Sequence, residues 1–269
     1  MSVFIRGHGV AMSQAILEVR NLVKEFGGIR AVDDCSFDVR AGSITGLIGP
    51  NGAGKTTAFN MVTGFIRPDK GEIRFRGQRI DHLPPHVIFR QGIARTFQIP
   101  RELRLMTVLE NLMLVPLHQG GEGLWQSWFL PGRVRVQEEQ IYRRAVEVLE
   151  FVQLIHLRDE LAANLSVGQK KLLELARVLM ADPDLILLDE PAAGVNPTLM
   201  KKLAGYVRTL RDQGKTFLLV EHNMDLIADL CDWVIVMNNG RPLVEGKPHE
   251  VREHPEVLEA YLGGAYAVR

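Results

Sequence analysis

The chain has 269 residues, with 32 Lys and Arg against 32 Asp and Glu, and so carries no formal net charge. That length allows a full core, as one large domain or two lobes. The charge balance argues against broad nucleic-acid binding and against a polybasic membrane anchor, and no apolar run approaches the roughly 18–20 residues that cross a bilayer.

Residues 1–14 read as a loose extension: the short apolar stretch of MSVFIRGHGVAMSQ is broken by Arg6, Gly7 and His8. It lacks the cleavage pattern of a signal peptide, and Met12 offers an alternative start. LEVRNLV (17–23) alternates apolar and polar residues, as a half-buried strand does. An apolar strand over Ile44–Ile48 leads into a glycine-rich loop and then a helix over Lys55–Phe65, with Gly64 as its stop signal. GEIRFRG returns to alternation, with Ile73 and Phe75 on one face and Glu72, Arg74 and Arg76 on the other. His82 and His86 stand four apart, but Pro84 and Pro85 break a shared helical face between them.

From about Pro100 to Met180 the apolar period becomes helical: Val108, Leu109, Leu112 and Met113, then Val146, Leu149 and Val152, then Leu172, Leu173, Leu175, Ala176 and Leu179. Within it, residues 116–136 are rich in Gly and Pro and carry Trp125, Trp128 and Phe129. They read as a loop-like excursion that either packs on the helical lobe or meets a partner. The basic residues around Arg143 and Lys170 read as solvated helix faces. LILL (185–188) and TFLLV (216–220) are apolar throughout, the mark of parallel strands covered on both faces. In WVIVMNNGRPLVEG, Asn239-Gly240 suits a tight hairpin turn. Cys35 and Cys231 sit in apolar contexts, which fits buried free thiols of a soluble chain in a reducing compartment.

The loop GPNGAGKTT places Gly49, Gly54, Lys55 and Thr56 in the pattern G-x-x-x-x-G-K-T. Glycines there let successive N–H groups turn inward around phosphate oxygens, Lys55 can reach the β- and γ-phosphates, and the Thr56 hydroxyl can hold Mg²⁺. LILLDE supplies the second metal-side group: Asp189 at the strand end, with Glu190 next in line to orient or deprotonate an attacking water. His222 follows another buried strand, where it can contact the γ-phosphate and hold Glu190 and the water. Its neighbour Glu221 is a competing base. Gln98 lies where the α/β lobe gives way to the helical one, and its amide oxygen can join metal and water. LSVGQ (165–169) opens the next helix; Ser166 suits an N-cap, and the bare N–H groups of a helix start also suit an anion.

GPNGAGKTT, Gln98, LSVGQ, LILLDEP, AAGVNP and His222 fall in the order of an ABC-transporter ATP-binding subunit, and the chain resembles that family from about Leu17 onward. The resemblance implies an ABC-type P-loop NTPase in the α/β class, a mixed core sheet with an antiparallel β region and an inserted helical lobe. It places the nucleotide-binding lobe at 15–99 and 181–269 and the lobe with the signature motif at 100–180. ATP and Mg²⁺ follow as ligands, with Gly49, Asn51, Gly52, Ala53, Gly54, Lys55, Thr56, Thr57 and Gln98 at the phosphates and metal. Phe26, before Gly27-Gly28, matches the position of the aromatic that stacks on adenine. In this family two cassettes pair head to tail, so Ser166, Gly168 and Gln169 meet the nucleotide of a second ATP-binding subunit, itself or a related one.

EVRNLVKEFGGIRAVDDCSFDV, GIARTFQ, LMTVLENLML and VEGKPHEVREHPEVLEAYLGG carry a closer resemblance, to the ATPases of branched-chain or hydrophobic amino-acid importers. It implies a peripheral subunit on the cytoplasmic face of a bacterial inner membrane, docked through residues near Ile99–Met106 on a multi-span permease and served by an external substrate-binding protein. A urea or amide importer and an exporter of lipid-linked material use near-identical cassettes. A nucleic-acid or ribosome ATPase of the same family fits less well, for want of a second cassette, a long heptad insertion or a positive charge. The chain departs from the wider family at Val167, where Gly is usual, at Asn196, where Asp is commoner, and at Phe26, where Tyr is commoner.

Overall fold

The computed structural model describes residues 3–4, 14–96, 102–116 and 131–266. They fall in two compact units, one drawn from Met1–Arg95, Asp184–Ala192 and Ala204–Arg269, the other from Thr96–Pro183 and Ala193–Leu203.

A seven-stranded sheet organises the first unit, in the order β1 (Val3–Phe4), β11 (Arg241–Gly246), β10 (Trp233–Asn238), β4 (Ile44–Ile48), β9 (Thr216–Val220), β8 (Leu185–Asp189), β7 (Ile93–Arg95). From β10 to β7 every neighbouring pair is parallel. β4, β8 and β9 are buried at every residue, which is why they carry no polar alternation. β11 turns back antiparallel on β10 through Asn239 and Gly240, at φ 49° and 79°; two successive left-handed residues make the tight turn that matches strand twist. Val3 and Phe4 pair with Val244 and Glu245. That part of the N-terminal extension is therefore an edge strand, too short for alternation to reveal it.

An antiparallel sheet of β3 (Ile29–Arg40), β2 (Ala15–Phe26), β5 (Lys70–Phe75) and β6 (Gln78–Arg79) faces helix α1 (Lys55–Val62) in the same unit. Leu17, Val19, Phe37, Ile73 and Phe75 join Phe59 and Met61 of α1 and Leu47, Leu187 and Val220 of the parallel sheet in one buried cluster. α1 ends three residues before the Phe65 that periodicity gives it. Thr63 caps it, and Gly64 follows at φ 73°, the left-handed position that closes a helix. Pro84 and Pro85 open α2 (Pro85–Arg90). Cys35 and Cys231 are buried and free, and burial pushes both thiols up, Cys35 to about 12.

The second unit is helical: α3 (Val108–Met113), α4 (Pro131–Phe151), α5 (Val167–Met180) and the start of α6 (Pro197–Asp212). Thr107 and Glu110 cap α3 reciprocally, each side chain accepting from the other's backbone N–H at 3.2 and 2.7 Å. Fully buried Asn111 pins the segment before it, donating to the Leu103 and Thr107 carbonyls and accepting from the Leu103 N–H. Residues from Pro131 onward belong to α4, not to the excursion; Pro is well tolerated at a first helical position. Trp125, Trp128 and Phe129 lie outside the described residues. Arg143 is on an exposed face with Glu139, but Lys170 is not simply solvated: its ammonium pairs with the Glu102 carboxylate at 3.0 Å. The remaining helices, α7 (Met224–Leu230), α8 (Pro248–Arg252) and α9 (Pro255–Tyr266), lie in the first unit.

The end of α1 gives a direct test. A Cβ on Gly64 would sit 2.7 Å from the Leu83 carbonyl oxygen and from Ile88 Cδ1. Gly64→Ala should therefore destabilise the chain by at least about 1–2 kcal/mol, the left-handed penalty alone. The readout is a lower urea midpoint at unchanged slope; an unchanged midpoint rules the steric account out.

Candidate functional site

The loop between β4 and α1 is shaped by close backbone contacts. A Cβ on Gly49, at φ 147°, would lie 2.1 Å from the Met237 carbonyl oxygen, and one on Gly54, at φ 98°, 2.4 Å from that of Ala31. Only glycine fits these positions. The loop is held from outside as well: the Gly240 N–H donates to the Ala53 carbonyl at 3.1 Å. Lys55 is buried and its ammonium donates to the Gly49 and Pro50 carbonyls at 2.8 and 2.9 Å. Burial pushes its pKa below the usual lysine value, and the charge of Glu190 acts the other way. Asn51, Gly52, Ala53, Gly54, Lys55, Thr56 and Thr57 line a cleft of about 270 Å³, whose other walls are Ala31, Glu190 and His222.

β8 and β9 deliver the facing groups. Asp189 ends β8 level with Val220 on β9, and Leu47 on β4 is level with the same Val220. Glu190 turns out of the strand at φ 47°, its N–H bonded to the Val220 carbonyl at 2.9 Å. Its carboxylate lies 2.8 Å from His222 Nε2. Glu221 differs in kind: it is 3 % exposed, and its two oxygens accept the backbone N–H groups of Ala192, His222 and Asn223 at 2.7, 3.1 and 3.4 Å. A carboxylate fixed on three amides anchors two loops and is poorly placed to take a proton from water. Asp189 Oδ2 accepts from Arg95 Nη2 at 2.6 Å, in a pair whose side chains are 9 % and 7 % exposed. Removing either partner would leave a buried charge uncompensated. Arg95 carries no motif; its one signal is a cation inside the short apolar strand GIAR.

Phe26 is exposed at the β2–β3 turn beside Gly27 and Gly28, both left-handed, and the Lys24 ammonium lies 5.4 Å from its ring centre. Gln98 lies outside the described residues. Ser166 and Gln169 cap α5 reciprocally: Gln169 N–H donates to Ser166 Oγ at 3.3 Å, and Ser166 N–H to Gln169 Oε1 at 2.8 Å. Val167 beside them is exposed. A Cβ on Gly168 would meet Leu199 Cδ2 at 2.4 Å, a packing reason for that glycine. Asn196 caps α6, its Oδ1 accepting the Leu199 N–H at 2.8 Å, so the amide serves the capping role open to Asp.

The cleft suits a polyphosphate with a hard divalent cation. The glycine loop and the Lys55 ammonium match anionic oxygens, and the exposed Thr56 carries a hydroxyl oxygen suited to a cation. Asp189, buried and held by Arg95, lies at the end of β8 behind the residues that line the cleft. Among the described residues no group of three or more His, Cys, Asp and Glu could hold a metal ion alone.

Comparison with known proteins agrees with this geometry. A family model described as ABC transporter matches residues 32–193, and one described as branched-chain amino acid ATP-binding cassette transporter matches residues 241–267. A probable branched-chain amino acid transport ATP-binding protein, LivG, of Archaeoglobus fulgidus is 47 % identical over 92 % of this chain and 95 % of its own. The high-affinity LivG of Escherichia coli K12 is 41 % identical over 94 % of this chain and all of its own. Among solved structures, a nucleotide-free ATP-binding cassette from an ABC transporter is 40 % identical with TM-score 0.80, covering 92 % of this chain and 99 % of its own. Another, in its ADP conformation, is 38 % identical with TM-score 0.79, covering 93 % and 99 %.

Glu190 and Glu221 stand one strand apart yet do different work, and stability separates them. Glu221→Ala, which strips three part-buried N–H groups of their acceptor, should destabilise the chain by more than about 2 kcal/mol. Glu190→Gln should leave the urea midpoint within about 0.5 kcal/mol of wild type. Equal losses from the two variants would erase the distinction.

Proposed function

The chain belongs to the ABC transporter family and is an ABC-type ATPase, and we propose that it is the motor subunit of an importer for branched-chain or hydrophobic amino acids. The substrate class is supported by the match over residues 241–267 and by relatives named for branched-chain amino acid transport at 40–47 % identity. No helix among the described residues is long and apolar enough to cross a membrane. In this reading the chain works from the cytoplasmic face of the inner membrane, docked on a multi-span permease whose external binding protein delivers the solute.

The observation that carries the catalytic reading is the Glu190–His222 contact of 2.8 Å across the cleft from Lys55 and Thr56. Gly49, Asn51, Gly52, Ala53, Gly54 and Thr57 cradle the phosphates through backbone N–H groups. Lys55 exchanges its two loop carbonyls for the β- and γ-oxygens. Thr56, Asp189 and Gln98 would hold Mg²⁺, which would supply neutralisation of charge on the phosphate oxygens. Glu190 orients the attacking water and takes its proton, while His222 holds the Glu190 carboxylate and faces the γ-phosphate. Phe26 stacks on the adenine. Ser166, Gly168 and Gln169 complete the site of a second cassette head to tail, so two nucleotides hold the pair closed and hydrolysis releases it.

Glu190→Gln should bind ATP as wild type does and lose at least about 100-fold in turnover, the usual worth of a general base. It should also accumulate an ATP-dependent dimer on light scattering. Wild-type turnover in that variant sinks the base assignment. Ser166→Arg and Lys55→Ala should each be inactive alone, and mixing them should restore one composite site per dimer where the chain pairs with itself. Purification of the full chain in mild detergent should bring a multi-span membrane protein with it; a product that carries RNA or DNA instead overturns the transport reading.

A further inference from the structure

Two elements carry the proposed metal-side groups, α1 with Thr56 and β8 with Asp189. One side chain touches both elements. Arg95 ends β7 level with Leu187, two residues before Asp189 on the adjacent parallel strand. Leu187 and Asp189 share a face, and Leu187 belongs to the cluster that packs on α1. The Arg95 guanidinium therefore enters the layer between the sheet and α1. There Nη2 donates to Asp189 Oδ2 at 2.6 Å, and Nη1 donates to Asn60 Oδ1 at 2.6 Å and to Thr63 Oγ1 at 3.4 Å. Its Cζ lies 5.7 and 5.9 Å from the ring centres of Phe59 and Phe65. Asn60 stands one turn after Thr56 on α1, on the same side of the helix.

We infer that Arg95, tethered to Asn60, is a positioning residue for the divalent cation: its guanidinium fixes Asp189 relative to the helix that carries Thr56. The inference rests on the reading of Thr56 and Asp189 as the metal-side groups. The physical reason is the planar fork of arginine, which holds two partners at set angles where a lysine holds one. Mg²⁺ needs near-ideal octahedral geometry and tolerates little drift between its oxygen ligands. Groups that orient metal ligands commonly change metal affinity by 10–100-fold when they are removed. Arg95 contacts Asp189, Asn60, Thr63, Phe59 and Phe65, so its effect should fall on the metal and not on the nucleotide as such.

Isothermal titration of the full chain with AMP-PNP, once with Mg²⁺ and once with EDTA, gives the factor by which the cation tightens nucleotide binding. Arg95→Lys keeps a charge beside Asp189 but cannot bridge to α1. Asn60→Ala keeps the ion pair, removes only the tether, and leaves no buried charge unpaired, so it carries the test if Arg95→Lys does not fold. Each should cut the Mg²⁺ factor about 10-fold or more, with the affinity in EDTA unchanged. The inference is overturned if Asn60→Ala keeps the wild-type factor, or if affinity in EDTA falls as far as affinity in Mg²⁺, which marks general loosening. Thr56→Ala tells the two failures apart. A wild-type factor in Thr56→Ala removes the reading of the metal side, and the role of Arg95 with it; a lost factor there, beside intact factors in Arg95→Lys and Asn60→Ala, removes the Arg95 role alone.

Discussion

The site depends on one alignment. Ile235, Leu47, Val220 and Asp189 form a row across β10, β4, β9 and β8, each opposite the next in parallel register. Because β4, β9 and β8 finish nearly level, the glycine loop after β4, the Glu221–His222 pair after Val220 and the Asp189–Glu190 pair all leave the sheet at one edge. Ligand sites of open parallel sheets form at that carboxyl edge. A slip of one residue in any strand would exchange its two faces. In β8 it would turn Asp189 away from Arg95 and α1. Burial on both faces makes such a slip costly, so the same apolar residues that form the core also set the geometry of the chemistry.

Strands that end together inside a protein leave polar backbone with nowhere to go, and the chain answers with fixed charges. Glu221 takes the N–H groups of three residues from two loops. Arg95 takes Asp189 and the polar side of α1. With those groups committed, Glu190 is left at the cleft in a left-handed conformation, fixed by one backbone bond and by His222. A strained backbone at a reacting position persists only where its surroundings over-determine it, and here two buried ionic anchors on either side of Glu190 do so. The division between adjacent carboxylates thus follows from burial: the enclosed ones hold, and the open one faces the cleft where the proposed chemistry would occur.

Much of this was legible in the sequence because it is written in periodicity and spacing. Continuous apolar runs marked β4, β8 and β9, alternation marked β5, and the Asn239-Gly240 pair marked the hairpin. The glycine loop and the Glu190 that follows LILLD are among the residues that line the cleft. The supports were not legible, since they depend on neighbours far apart in the chain. Glu221 read as a rival base because nothing local shows that Ala192, 29 positions away, uses its oxygen. Arg95 read only as part of GIARTFQ, with no role of its own, its partners lying 35 and 94 positions off. Helix ends failed for a similar reason: Gly64 stops α1 early because of Leu83 and Ile88, which periodicity within α1 cannot see.

LSVGQ shows how a structural and a functional reading can share the same atoms. Ser166 and Gln169 cap α5 reciprocally, so two of the N–H groups at the helix start are already satisfied by side chains. The exposed Val167 and the bare first turn still present the positive end of the dipole to solvent. The capping box keeps that end rigid and correctly aimed; Gly168, whose added Cβ would collide with Leu199, keeps the turn close to the start of α6. A side chain that fixes the first turn of a helix also fixes the direction of its remaining N–H groups. The cap and the proposed contact with a second subunit's γ-phosphate are therefore not rivals: the first is the preorganisation on which the second depends.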